Sequence, residues 1–184
     1  EQMRALLGAK ADAAQLARLR DWTAREHAAL APVFDARKRG GWVRECHGDL
    51  HLGNIALLDG VLTPFDCIEF SEDLRWTDVM DEVAFLTMDL FDHRLPRLAF
   101  RFLNAYLEST GDYAGLRVLR FYLVYRALVR AKVSCMRAHQ PGMAGMRLGI
   151  ERQPVERVAA AGNGGELLVG EVGEQRARRG LRRR

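Results

Sequence analysis

Three of the 28 basic residues are lysine (Lys10, Lys38 and Lys132), and none of the three stands in an apolar strand. Cysteine is just as scarce. Cys46, Cys67 and Cys135 are odd in number and form no C-x-x-C pair, which excludes a disulfide scaffold and points to a reducing cytoplasmic setting. No apolar run approaches the ~20 residues of a membrane span, so no membrane partner is expected. No basic segment followed by an apolar stretch and a small-residue cleavage site opens the chain, so no secretory signal is visible. The pattern G-x-x-x-x-G-K-[ST] is missing too, and the glycines at 162 to 165 do not replace it.

What is present is a chain of 184 residues, 48% apolar and 28% charged, enough for one domain with a proper core. The net charge of +4 is local. Residues 171 to 184 hold six Arg and two Glu, and the remainder carries 22 basic and 22 acidic residues. A neutral body argues against a nucleic-acid footprint, and the Arg-rich end reads as a solvated tail. The first residue is Glu1, so a piece of a longer protein is expected.

Apolar spacing predicts a helix over residues 10 to 38, with Leu16, Leu19, Leu30 and Phe34 on one stripe, Pro32 as a kink and Gly40-Gly41 as its end. A short strand at 43 to 46 follows. Residues 55 to 58 and 61 to 65 flank Asp59-Gly60, a two-residue hairpin signal. Three helices are then expected: 78 to 91 with Thr77 or Asp78 as cap, 96 to 108 ending at Gly111, and 112 to about 139 with Leu116, Leu119, Tyr122, Leu123 and Arg126 on its stripe. The Gly- and Arg-rich residues 141 to 184 have no sustained period and are assigned low order. The fold class is therefore α+β, mostly α, with residues 1 to 140 as the domain and 43 to 92 as its core motif.

The stretch ECHGDLHLGNIALLDGVLTPFDCIEF, residues 45 to 70, concentrates polar groups at the two ends of an apolar hairpin. Closure at Asp59-Gly60 pairs Leu58 with Val61 and Ile55 with Pro64, which brings Asn54 near Phe65 and Asp66. An amide and a carboxylate there form a hard-oxygen site of the kind Mg²⁺ takes together with substrate phosphates. Asp49 is a further carboxylate on the loop feeding the same end, where Gly48 and Gly53 allow sharp turns. Phosphoryl transfer needs such a set: metal ligands on the nucleotide and a separate carboxylate toward the attacking hydroxyl.

His47-Gly48-Asp49, Asn54 five beyond the Asp, a hairpin and then Asp66 resemble the catalytic half of the aminoglycoside phosphotransferase family, a branch of the protein-kinase-like fold. The kinase loop H-R-D-x-x-x-x-N has the same Asp-to-Asn spacing. The longer string, H-G-D-L-H-L-G-N through P-F-D-C-I-E-F to D-L-R-W-x-D-V, is similar to an uncharacterised bacterial subgroup often fused to a P-loop kinase domain. The resemblance covers about residues 40 to 140. It implies a kinase-like C-lobe, with a small β-hairpin unit and a helical bundle, and Mg-ATP-dependent phosphotransfer to a hydroxyl of a small molecule. Asp49 would be the catalytic base, and His47, Asn54 and Asp66 the cofactor-binding set. Asn54 and Asp66 would hold Mg²⁺. Gly48, Gly53 and Asp78 would support the loop, Asp78 by holding its backbone amides. His51 and Glu69 are further candidates. The Gly-rich loop and strand lysine of an N-lobe are absent, so the implied partners include that lobe and, in the parent protein, a P-loop domain.

Two other readings stand beside this one. His47, Asp49 and His51 alternate and could bind zinc in a metal-dependent hydrolase. A non-catalytic pseudokinase or binding module would suit the missing lobe. Cys46 and Cys67 read as buried small apolar residues, and Phe121, Tyr122 and Tyr125 as helix core. Residues 66 to 92 hold nine acids against Arg75 alone, a surplus that favours Mg²⁺ and a cationic acceptor. Asp78, Asp81 and Glu82 among them read as compensation of a helix dipole.

Overall fold

The computed structural model describes residues 12 to 138, so the expectation for the tail from 141 lies outside the described residues. Helix α1 (Ala13–Arg39) starts where Asp12 accepts the Gln15 amide at 3.0 Å. It ends in Arg37, Lys38 and Arg39, cations placed where the helix dipole favours them. Pro32 lies inside the helix without ending it. Strand β1 (Val43–Glu45) follows, then a 3-10 turn (Leu52–Asn54) and the hairpin of β2 (Ile55–Leu58) and β3 (Val61–Pro64). A one-turn helix α2 (Glu72–Arg75) leads into β4 (Trp76–Asp78). Three longer helices complete the order: α3 (Val79–Asp92), α4 (Pro96–Thr110) and α5 (Leu116–Ala138), with a 3-10 turn (Tyr113–Gly115) before the last. The protein is α+β and mostly α.

The hairpin has the expected register, Leu58 opposite Val61 through Ile55 opposite Pro64. Asp59 (φ 51°) and Gly60 (φ 81°) both take positive φ, the conformation whose twist matches that of paired strands. The sequence reading missed the one-turn helix α2 and strand β4. Strand β4 pairs antiparallel with β1, Val43 opposite Asp78 and Glu45 opposite Trp76, and Arg75 forms an ion pair with Glu45 beside them. Three residues with a partner more than thirty positions away carry no local period.

Helix α3 is the centre of the molecule. Every residue from Met80 to Leu90 is buried, because other elements surround the helix. Met80, Val83, Phe85 and Met88 pack with Leu103 and Leu107 of α4 and with Val118, Leu119, Leu123, Val124 and Ala127 of α5. Burying each large side chain stabilises the fold by roughly 1.5–3 kcal/mol. A second cluster, Leu86, Leu90 and Ala99, takes Leu50, Leu52 and Ile55 onto it, which seats the polar loop and the root of the hairpin on the bundle. Among the described residues no helix is long and apolar enough to cross a membrane.

Candidate active site

The loop between β1 and β2 is held from beneath by α3. Glu82 accepts the amide of Gly48 at 2.7 Å and that of Leu50 at 3.1 Å, so one carboxylate grips the backbone on both sides of Asp49. Asp89, two turns on, accepts the Leu52 amide at 2.8 Å. From α5, Arg126 donates to the Gly48 carbonyl at 3.1 Å and grips both oxygens of Asp81 at 2.8 and 2.7 Å. Burial works against the charge of Arg126, but Asp81 and Glu82 outweigh it and hold its pKa above the ordinary arginine value.

Gly48 is needed twice over. Its φ is +83°, and a Cβ there would meet the Leu74 carbonyl oxygen at 3.0 Å and Ile68 at 3.1 Å. Gly53 serves a different purpose from the sharp turn expected of it, since it is not among the positive-φ glycines. A Cβ on it would come within 2.8 Å of the His51 ring, so it makes room for an imidazole.

Asn54 meets Asp49 through its side chain, and the hairpin register brings its backbone to the approach to Asp66. Asn54 is buried and donates through Nδ2 to the Asp49 carbonyl at 3.0 Å and to Asp49 Oδ2 at 3.2 Å. Its own carbonyl accepts the Phe65 amide at 3.0 Å, which brings the backbone leading into Asp66 to the same end. Asp66 is exposed and has a left-handed φ of 61°, a conformation that costs a non-glycine residue free energy. Among the described residues its carboxylate has no hydrogen-bond partner. The amide nitrogen of Asn54 is committed to Asp49, leaving its side-chain oxygen for a cation. An amide oxygen and a free carboxylate make a donor set that fits Mg²⁺.

Both histidines brace backbone. His47 accepts the Asp49 amide on Nδ1 at 3.4 Å and donates from Nε2 to the Phe65 carbonyl at 2.8 Å, joining the loop to the segment that carries Asp66. His51 accepts the Gly53 amide on Nδ1 at 3.1 Å. With both nitrogens of His47 engaged, the set His47, Asp49 and His51 does not assemble as a zinc site. Among the described residues the imidazole and carboxylate atoms gathered within 4.8 Å belong instead to Asp89, Asp92 and His93 at the end of α3. There Arg130 stands 3.3 Å from Asp89, and His93 bonds the Asp89 carbonyl at 2.8 Å.

Asp78 does not hold the loop amides, as the resemblance implied; Glu82 does, one turn further along. Asp78 caps α3 by accepting the Met80 amide at 2.9 Å and is otherwise claimed by Arg37, which bonds both its oxygens at 2.6 and 2.8 Å. The same guanidinium holds both oxygens of Asp112 at 2.7 and 2.8 Å, and Tyr106 donates to Asp112 at 2.9 Å. Burial and then Asp112 push the Tyr106 hydroxyl well above the usual phenol range, and burial and then Asp78 do the same to Tyr122. Asp81 and Glu82 are therefore not dipole compensation alone. Glu69 and Cys67 are exposed, Cys67 contrary to expectation, and Tyr125 is exposed rather than core. Burial and then the charges of Glu82, Asp81 and Asp78 push the Cys46 thiol up to about 11.

The supporting roles of Arg37, Glu82, Asp89, Asp112 and Arg126 escaped the sequence reading. Arg126 did leave a signal, as a cation on an otherwise apolar helical stripe. Arg37 left a similar one, three residues beyond Phe34 on the stripe of α1.

Comparison with known proteins adds relatives without a named activity. Uncharacterised proteins of Mycobacterium bovis and of two strains of Mycobacterium tuberculosis are each 41% identical to this chain over 108 residues. The match covers 59% of this chain and 22% of each relative, so the chain spans about a fifth of their length. No protein-family profile matches the chain, and no solved structure does.

Proposed function

We propose that this chain is the catalytic lobe of a cytoplasmic small-molecule kinase, one that transfers a phosphoryl group from Mg-ATP to a hydroxyl. The observation that carries the reading is the double engagement of Asn54. Its backbone holds the strand that leads to Asp66, and its side chain holds Asp49, so a metal-ligand pair and a separate carboxylate share one end of the hairpin. Asn54 and Asp66 would hold Mg²⁺, which neutralises phosphate charge when bound. Asp49 would take the acceptor's proton, and Glu82, Asp89 and Arg126 keep its loop in place. The zinc hydrolase is disfavoured because His47 and His51 spend nitrogens on backbone.

The exposed apolar side chains Leu57, Leu58, Val61, Leu62 and Phe70 suit a covering lobe supplied by a longer parent chain. The alternative of a binding module rests on the lack of that lobe here. Phosphoryl transfer from Mg-ATP to a panel of hydroxylated, cationic small molecules, assayed in the parent polypeptide, tests the proposal. Asp49→Asn should lower turnover by about 10²–10⁴ with binding largely kept. Asp66→Asn should raise the Mg²⁺ requirement. Unchanged turnover in Asp49→Asn, or stoichiometric zinc that leaves with His51→Gln, would overturn it.

A further inference from the structure

Asp49 is held by one oxygen. Asn54 Nδ2 reaches Oδ2 at 3.2 Å, and His51 Nε2 lies 3.5 Å from the same atom. Because His51 Nδ1 accepts the Gly53 amide, the neutral ring carries its proton on Nε2, facing the carboxylate. No described residue donates to Oδ1. The ring has a fitted seat, with its centroid 5.7 Å from that of Phe85 and the missing Cβ of Gly53 leaving room at its edge. A plain cap of the 3-10 turn would need just an acceptor for the Gly53 amide, which Asn, Asp or Ser supplies. That role explains Nδ1 and leaves the placement of Nε2 unexplained.

We propose that His51 is a positioning residue that, with Asn54, fixes Asp49 through Oδ2 and so presents Oδ1 alone to the acceptor hydroxyl. The inference rests on the reading of Asp49 as base. In the transfer, the acceptor oxygen bonds to the γ-phosphorus of the nucleoside triphosphate. The bond from that phosphorus to the bridging oxygen breaks, its electron pair leaves with the diphosphate, and the hydroxyl proton passes to Oδ1. The Asn54 amide on Oδ2, joined by His51 Nε2 once its 3.5 Å approach closes, orients the carboxylate and leaves its negative charge to take that proton. Contacts of this kind shorten when the substrate complex forms.

The pairing is tested on the full 184-residue chain by long-range ¹H–¹⁵N spectra of its histidines. His51 should give the pattern of the Nε2–H tautomer, and its Nε2 resonance should move in Asp49→Ala but hold in Asp73→Ala, an exposed site elsewhere. An Nδ1–H tautomer, or an Nε2 signal indifferent to Asp49→Ala, overturns the proposal. Turnover of Mg-ATP in the parent polypeptide supplies a second arm. His51→Gln keeps a donor at the reach of Nε2, whereas His51→Asn keeps an acceptor at the reach of Nδ1. Positioning requires His51→Asn to lose on the order of tenfold in kcat with KM for Mg-ATP unchanged, and His51→Gln to stay near the parent rate. The reverse order makes His51 a cap and nothing more. A parent polypeptide with no Mg-ATP turnover counts against phosphotransfer, while the spectra still decide the pairing.

Discussion

Arg126 Nη1 stands 3.1 Å from the carbonyl oxygen of Gly48, seventy-eight residues away in sequence, while its other nitrogens close on Asp81. One guanidinium therefore fastens α5 to α3 and to the backbone just ahead of Asp49. Removing it as Arg126→Met leaves Asp81 buried without its cation, at a cost of about 3–5 kcal/mol. Urea unfolding measures this, and the double change Arg126→Met with Asp81→Leu should recover most of the loss. A single-variant loss below ~1 kcal/mol would show that the ion pair is not what holds the helices.

Glu82→Gln keeps the shape of the side chain and removes one of two acceptor oxygens. The loop should lose about 1–3 kcal/mol of local stability. Amide hydrogen exchange reads the loss residue by residue. Protection should fall at Gly48 and Leu50 and persist at Leu52, whose partner is Asp89. Equal loss at all three amides would mean that the loop opens as one body.

The cysteines differ in reactivity. Cys67 is exposed and should be alkylated first, ahead of half-buried Cys46 and buried Cys135, in a time course followed by peptide mass spectrometry. Burial and neighbouring acids raise the Cys46 thiol from 9.0 to about 11 in the folded chain. The folded state thus keeps a proton there that the unfolded chain gives up. Its contribution to stability is complete below pH 9.0 and fades as pH climbs toward about 11. Denaturation midpoints of Cys46→Ala should accordingly depend less on pH across that window than those of the parent chain.

At Asp66 stability and function should pull apart. Its φ of 61° suits glycine, so Asp66→Gly should trade about 1–2 kcal/mol of relieved strain against about 0.5–1 kcal/mol of added chain entropy and leave stability equal or higher, and Asp66→Ala should lower it. Both lose the carboxylate, and both should abolish Mg-ATP use in the parent polypeptide. A destabilised Asp66→Gly would show that the carboxylate supports the fold itself.

The hairpin and its register were legible because Asp59-Gly60 dictates a turn and the turn fixes every pair behind it. Convergence of Asn54 on the approach to Asp66 followed from that register alone. The supporting layer was not legible in the same way. Glu82 and Asp78 sit one turn apart at the start of the same helix, and both look like ordinary acids near a positive helix end. What separates them is Arg37, forty-one residues upstream of Asp78, which claims Asp78 and leaves Glu82 for the loop. Strand β4 was hidden for a related reason, since its pairing with β1 is a long-range event in three residues of mixed character.

The Arg37 knot also sets the smallest unit in which this module can be inherited. On packing grounds α1 is an outer layer, its Leu19, Trp22, Leu30, Val33 and Phe34 only partly buried against the core. Judged by apolar contact, a gene rearrangement that swapped it for another helix would cost little. Charge says otherwise. Asp78 and Asp112 are both buried, and both take their cation from the last turn of α1. A recombination break between that helix and β1 would strand two carboxylates inside the protein, so the end of α1 has to travel with the elements that carry them.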